Sequence, residues 1–386
     1  MKTIAVIFGG QSAEHDVSII TALASVIKPL ELAGGFQIEP IYIAKDGSWY
    51  WDQRLKDIKM YQTGEIDEFV KKAPKIHLLF DNGLTLVKSS QFAGRKQYKK
   101  IDIVFPAMHG THGEDGELMG LLEMAGVPYV GCGSAASAIA MDKVLAKQVT
   151  QSFGLPSTPW VWLRAEELSN PSEALKKCAS LNYPLFVKPA RLGSSIGITR
   201  VTDKAQLMNA LEVAAHYDDK LIVEQGVQNL IEVTLPIIGN QTPKPALLEQ
   251  PLLKSEDFFD FETKYMQGGK KGGKKGGAKG AQGYSKLPAD LPKELYKKAE
   301  NLGMEVYKVV GCEGIARVDM LINSKTKEVF FNEINPMPGG LYEHNWRAAG
   351  TSSVELVRQL VGYAEERFAR KQRHNTSFST NYLKQF

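Results

Sequence analysis

Four residues late in the chain have the types and spacing of a hard-cation site. Arg317-Val318-Asp319 lies in one apolar run and Asn332-Glu333-Ile334-Asn335 in another. Residues two apart on a strand point to the same face, so Arg317 projects beside Asp319 and Glu333 beside Asn335. Two carboxylates and an amide oxygen converging from neighbouring strands suit Mg²⁺, which takes one or two carboxylates and fills its other positions with phosphate and water. Arg317 beside them can neutralise charge developing on a transferring phosphoryl group. A salt-bridged pair of surface strands is the plainer reading. It fits poorly with the neighbours Val318, Met320, Phe330, Phe331 and Ile334, because charges so flanked are costly unless paired or metal-bound.

Four further segments carry weaker signals. Lys188 ends a strand-like run and precedes Gly193-Ser194-Ser195-Ile196-Gly197; a lysine beside such a loop can pair with phosphates that the loop cradles. It is not a Walker loop, since the lysine comes before the glycines. Lys143 lies on a helical stretch, where most lysines are simply solvated. Glu14 follows Gly9-Gly10 at a helix start, where it could bind an ammonium group or merely complement the helix dipole. His109-Gly110-Thr111-His112-Gly113-Glu114-Asp115-Gly116 is dense in glycine, as at a strand's carboxyl end where α/β sheets bind ligands. Two histidines without a third suitably spaced ligand make a poor metal site, so His109 reads as a substrate-contacting or turn-stabilising residue.

The elements that must position these residues alternate in type. Strands are expected over 2–8, 36–43 and 101–107, with helices over 17–27 and 118–125 and a strand-like 128–130. That order implies a parallel sheet with helices on both faces. A second unit starts near residue 136 with a helix over 137–153, then strands over 159–163, 185–189 and 196–201 and a helix over 171–181. The strand over 221–224 leads into a third unit, with strands over 231–238, 315–322 and 328–334 and helices over 292–310 and 353–370. A chain of 386 residues suggests two or three domains. Lys270, Lys271, Lys274, Lys275 and Lys279 sit in a Gly/Lys tract over 267–282, read as a solvated linker or as a basic lid. Without these five lysines, 42 basic residues face 43 acidic ones, so nothing else suggests a nucleic-acid surface. There is no run of about 18 apolar residues, hence no expected membrane span, and the opening residues lack the features of a signal peptide. Cys132, Cys178 and Cys312 form no disulfide or metal pattern, which points to the reducing cytoplasm.

Taken together, MDK at 141–143, VKPARLGSSIG at 187–197, VEQG at 223–226, ARVD at 316–319 and NEIN at 332–335 resemble the ATP-grasp ligases. GGQSAEHDVS at 9–18, HGTHGEDG at 109–116 and FDFETKY at 259–265 narrow the resemblance to the D-alanine–D-alanine ligase family, over residues 1 to about 365. The resemblance implies an α/β fold of three-domain ATP-grasp architecture: an N-terminal Rossmann-like, parallel-sheet domain (1–135) holding the first substrate, and two α+β subdomains clasping ATP. These would be a central subdomain (136–222) and a C-terminal subdomain (223–370) with the metal and second-substrate sites and a lid loop at 266–284; 371–386 would be a polar tail. Lys143 and Lys188 would hold the ATP phosphates with Ser194 and Ser195 beside them, Glu224 the adenine amino group and Glu232 the ribose. Asp319, Glu333 and Asn335 would bind two Mg²⁺ ions, with Mn²⁺ as a substitute. Glu14 would fix the first D-alanine's ammonium near His109, while Ser194 and Tyr265 orient Glu14 and close the site, with Lys264 beside them. Arg317 and the Gly339 N–H would stabilise the transition states. The expected activity is ATP-dependent formation of D-alanyl-D-alanine in the cytoplasm by a homodimer, with D-lactate or another amino acid as the alternative second substrate. Two departures stand out besides the Gly/Lys tract. One extra residue separates Glu224 from Glu232, and His344-Asn345 stand where many relatives place a serine and a leucine against the second amino acid.

Overall fold

The computed structural model describes residues 1–89, 96–252, 285–375, 377 and 379–386. The run of Ile, Ala, Val and Phe after Lys2 forms β1 (Lys2–Gly9), buried along almost its whole length as a central parallel strand must be. β2 (Phe36–Ile43) pairs with it in parallel, and β3 (Trp49–Trp51) adds an antiparallel edge. β4 (Ile76–Phe80), β5 (Leu84–Ser89) and β6 (Lys96–Ile101) form an antiparallel sheet that the sequence reading passes over. The run expected over 101–107 is cut at Asp102, whose carboxylate accepts the Thr3 N–H at 2.8 Å. β7 (Ile103–Pro106) then joins β1 in parallel, completing the order β3-β2-β1-β7. The segment 128–130 contributes only a bridge between Tyr129 and Val104.

Two helices differ instructively from expectation. The one expected over 17–27 starts at His15 and runs on through α-helix His15–Ile20, π-helix Thr21–Ile27 and α-helix Lys28–Ala33. The one expected over 137–153 is two, Ser134–Met141 and Lys143–Ser152. Asp142 breaks it and caps the second part, accepting from the Val144 and Leu145 N–H groups at 3.0 Å each. The cap fixes Lys143 as the first residue of its helix.

β8 (Trp160–Arg164), β9 (Leu185–Pro189), β10 (Thr199–Val201) and β11 (Lys220–Gln225) form an antiparallel sheet ordered β10-β9-β11-β8. β11 is therefore an interior strand of this sheet as far as Gln225, not the opening of the next unit. The next sheet uses β12 (Leu230–Gly239) and β13 (Lys244–Pro245). After the short ribbon of β14 (Gln250–Pro251) and β15 (Ser285–Lys286), it takes β16 (Gly314–Asn323) and β17 (Val329–Asn335), in the order β13-β12-β16-β17. The helix Lys293–Val310 covers it, sharing a core through Leu302, Val306 and Tyr307 with Leu235, Val318 and Met320. The helix Ser353–Lys371 returns to the start of the chain: Leu356, Val357 and Leu360 share one core with Val6, Phe8 and Ile103 of the parallel sheet. The central sheet has a core of its own around Val187, Leu211 and Val223. Among the described residues no helix is long and apolar enough to cross a membrane.

Candidate active site

The floor of the site is the half-buried face of β16 and β17. Their register sets Arg317 opposite Asn335 and Asp319 opposite Glu333, and a bulge between Asp319 and Met320 leaves Asn332 as the additional residue. The Asp319 carboxylate accepts from Arg317 Nε at 2.8 Å, Thr234 Oγ1 at 2.9 Å and Asn335 Nδ2 at 3.2 Å. Burial pulls the Arg317 pKa down, but the paired Asp319 outweighs it and holds the guanidinium well above its ordinary value. The same guanidinium lies 5.3 Å over the Tyr342 ring. Glu333 faces Lys143 Nζ at 3.4 Å. The sequence-predicted metal set thus shares one face, and its oxygen-only donors have the chemistry for Mg²⁺. The histidines weighed as metal ligands part company: His112 is exposed and pairs with Glu117, whereas His109 turns inward.

Above this face stands a row of buried charges. Ile222 pairs with Lys188 across β11 and β9, which brings Lys188 Nζ to 3.1 Å from Glu224 Oε2 and 3.5 Å from Asn332 Oδ1. On the other side of Glu224, Lys147 Nζ lies 3.7 Å from Oε1. Burial pushes the Glu224 carboxyl up, yet Lys147 and Lys188 together hold it below the usual glutamate range. Its Oε1 is buried and accepts no hydrogen bond among the described residues. That acceptor suits the 6-amino group of adenine. Lys143 donates to Leu192 O at 2.8 Å, holding the loop that carries Ser194 and Ser195. Both serines have left-handed backbone, at φ 53° and 59°, a conformation that non-glycine residues keep only where the surroundings enforce it. Glu232 sits on β12 opposite Leu321, on the strand face that carries Thr234 two residues on; the extra residue falls in the preceding loop.

Glu14 joins the first sheet's loop to this region. It is 8% exposed, and its Oε1 accepts from Ser194 Oγ. A Cβ at Gly193 would come within 2.9 Å of Glu14 Oε2 and one at Gly110 within 3.1 Å, so both glycines make room for the carboxylate. One turn on, Ser18 Oγ donates to Glu14 O at 3.1 Å and accepts the His109 N–H at 2.9 Å. Thr21 Oγ1 then lies 2.9 Å from His109 Nε2 and accepts the Gly340 N–H at 2.9 Å. Glu114 lies 3.8 Å from His109 Nδ1, and burial raises its pKa above the glutamate range. Gly339 opens the short helix Gly339–Tyr342, in which Gly340, Leu341 and Tyr342 all have left-handed backbone. His109 and Gly339 are therefore brought to the same corner as Glu14.

The two departures at 344–345 part ways. Asn345 is fully buried; its amide donates to Leu247 O at 2.9 Å and accepts from Leu247 N at 3.0 Å. Both ends of the amide are spent inside the fold, on the main chain and, at 3.3 Å, on Glu249 Oε2, so the geometry supports a structural tie and not the substrate contact read from the sequence. Asn345→Ala should lower stability by about 1–3 kcal/mol, because it strands a buried N–H and C=O. A denaturant midpoint unchanged in the variant would remove that role. His344 keeps Nδ1 for other partners, its Nε2 lying 2.8 Å from Glu249 Oε2. Burial pushes the Glu249 carboxyl up, but hydrogen bonds from His344, Ser285 and Asn345 prevail and hold it below its ordinary range. Sequence reasoning missed Glu249, for which no local signal exists. It also missed Lys147, whose signal was its position four residues after Lys143 on the same helix face. Lys264, Tyr265 and the loop 266–284 lie outside the described residues.

Comparisons with known proteins agree in direction. Family profiles described as "D-ala D-ala ligase N-terminus" and "D-ala D-ala ligase C-terminus" match residues 3–132 and 149–362. The D-alanine–D-alanine ligase of Acetivibrio thermocellus is 36% identical, the match covering 95% of this chain and 96% of that protein. That of Thermoanaerobacter pseudethanolicus is 35% identical, covering 95% and 97%. Among solved structures, the D-alanine–D-alanine ligase of Coxiella burnetii superposes with a TM-score of 0.77 at 29% identity, covering 96% of each chain. The VanG D-Ala:D-Ser ligase of Enterococcus faecalis gives 0.76 at 31%, covering 94% of this chain and 99% of its own.

Proposed function

The chain belongs to the D-alanine–D-alanine ligase family and has its ATP-grasp fold, and from that premise we propose that it joins two D-alanines through an acyl phosphate. It is an ATP-dependent ligase of small molecules. The observation that carries the reading is the register that sets Asp319 opposite Glu333 and Arg317 opposite Asn335, with Lys143 3.4 Å from Glu333. The division into units at 1–135, 136–222 and 223–370 is part of the same reading, with the second boundary moved past Gln225, where β11 ends. So are a homodimer and a cytoplasmic location; light scattering that gave the mass of one chain would refute the dimer.

A carboxylate is a poor acyl donor. Attack of the first D-alanine's carboxylate oxygen on the γ-phosphorus forms an acyl phosphate and releases ADP. The second amine, entering neutral, then adds to the carbonyl carbon; the C–O bond to phosphate breaks with its electron pair leaving on phosphate, and the proton shed by the nitrogen passes to the departing phosphate. Glu14, held by Ser194 and given room by Gly110 and Gly193, receives the first ammonium, with His109 beside it. Lys143, Lys188, Ser194 and Ser195 meet the phosphates, Glu224 the adenine and Glu232 the ribose. Two Mg²⁺ ions, replaceable by Mn²⁺, would be held by Asp319, Glu333 and Asn335 and would neutralise charge between the triphosphate and the incoming carboxylate. Arg317, fixed by Asp319, carries the charge that develops on the transferring group. The Gly339 N–H meets the tetrahedral oxyanion. Tyr265 keeps the closing role that the resemblance implies, with Lys264 beside it.

A different second substrate is the competing reading, favoured by His344, paired with Glu249, and Asn345, which stand where many relatives place a serine and a leucine. Phosphate release with ATP and Mg²⁺ across D- and L-amino acids and D-hydroxy acids, with mass analysis of products, separates the two. D-alanyl-D-alanine should dominate when D-alanine, D-serine and D-lactate compete at equal concentration. A dominant mixed product would establish the alternative, and no D-alanine-dependent phosphate release would refute both.

A further inference from the structure

Lys147 takes no part in the reaction as derived above, yet its cost to the fold is high. It is wholly shielded from solvent on the helix Lys143–Ser152. Its Nζ donates to Phe331 O at 3.3 Å and lies 5.6 Å from the Phe331 ring and 3.7 Å from Glu224 Oε1. A buried ammonium persists only with a compensating charge, and Glu224 is the acid within ion-pair distance of it among the described residues. Glu224 has two lysines, one on each oxygen, with Lys188 at 3.1 Å from Oε2.

We propose that Lys147 is the permanent counter-ion of Glu224 and that, through it, this ligase selects a 6-aminopurine nucleotide over a 6-oxopurine one. The inference rests on the reading above, in which Glu224 meets the base and Lys188 the phosphates. When Lys188 turns to phosphate, Glu224 keeps Lys147 alone. A buried carboxylate with no remaining cation takes up a proton. As a carboxylate, Glu224 only accepts hydrogen bonds and matches an amino group. As a carboxylic acid, it presents an O–H that matches a ring carbonyl. Lys147, locked by its bond to Phe331 and shielded from solvent, cannot follow Lys188 to the nucleotide. It is a positioning residue that acts through Glu224.

The test compares ATP with inosine triphosphate at saturating D-alanine, as kcat/KM for each, in wild type, Lys147→Met, Lys147→Gln and Glu224→Gln. Lys147→Gln retains a donor for Phe331 O and loses the charge, which keeps the test alive should Lys147→Met not fold. Both Lys147 variants should raise the KM for ATP more than they lower kcat, and should cut the ATP preference by about tenfold or more. Glu224→Gln should also cut it, since an amide can pair with either base. Lys147 variants that lose stability or kcat while keeping the wild-type preference would reduce Lys147 to a structural tie and overturn the inference alone. Unchanged preference in Glu224→Gln would overturn the adenine contact together with everything built on it.

Discussion

Replacing Glu333 with glutamine should lower kcat by roughly 10³-fold or more, a barrier increase of about 4 kcal/mol, while the fold survives. Glutamine reproduces the shape of the side chain and removes its charge. Glu333 stands across from Asp319 and 3.4 Å from Lys143 Nζ, and about a quarter of its side chain reaches solvent, so little packing depends on it. What the substitution takes away is one of two carboxylates able to hold a divalent cation against a triphosphate. Wild-type activity should vanish with a chelator and return with Mg²⁺, whereas the variant should gain little at any Mg²⁺ concentration. Turnover within about tenfold of wild type, in a variant with an unchanged melting curve, would take Glu333 out of the metal site.

Arg317 should rank next. Its guanidinium is gripped by Asp319, lies over Tyr342 and is largely but not wholly buried, so its charge is fixed in place before any substrate arrives. A charge placed in advance for a transferring phosphoryl group is worth about 10³–10⁵ in rate. Arg317→Ala should fall in that range. Arg317→Lys should recover only part of it, because an ammonium cannot reproduce the planar two-point grip on Asp319. The loss should appear in kcat, with the KM for ATP moving less than about tenfold. A KM that rises while kcat holds would mean that Arg317 binds the ground state or merely braces Asp319.

Strand alternation made the metal face legible in the sequence: Arg317, Asp319, Glu333 and Asn335 are polar positions in apolar runs, and period two fixes which of them share a side. The bulge that leaves Asn332 unmatched was not legible, because register depends on how two strands meet and not on either alone. Asp142 and Asp102 each broke an element that periodicity had run together, and each did so with a side-chain bond to main chain. Asp142 had been readable as a cap; Asp102 had not, since its partner Thr3 lies 99 residues away. The missed sheet of β4 to β6 carried its own signal in Asp81-Asn82-Gly83, turn chemistry between two apolar runs. His344 and Glu249 are 95 residues apart, and neither type nor spacing announces such a pairing. Lys147 looked like any helix lysine because its burial comes from β11 and β17 closing over it.

The return of Ser353–Lys371 to the first sheet also has a meaning in the order of synthesis. Val6 and Phe8 emerge before the other sheets, whereas Leu356, Val357 and Leu360, which share their core, emerge only after those sheets have been made. The parallel sheet thus has one face that no earlier element can finish covering, and its completion depends on contacts spanning nearly the whole chain. Contacts of that span are slow to form and leave apolar surface bare in the interval. The central sheet, with a separate core built from nearby residues, is under no such delay. β1 thus shares its core with a helix made more than 300 residues after it.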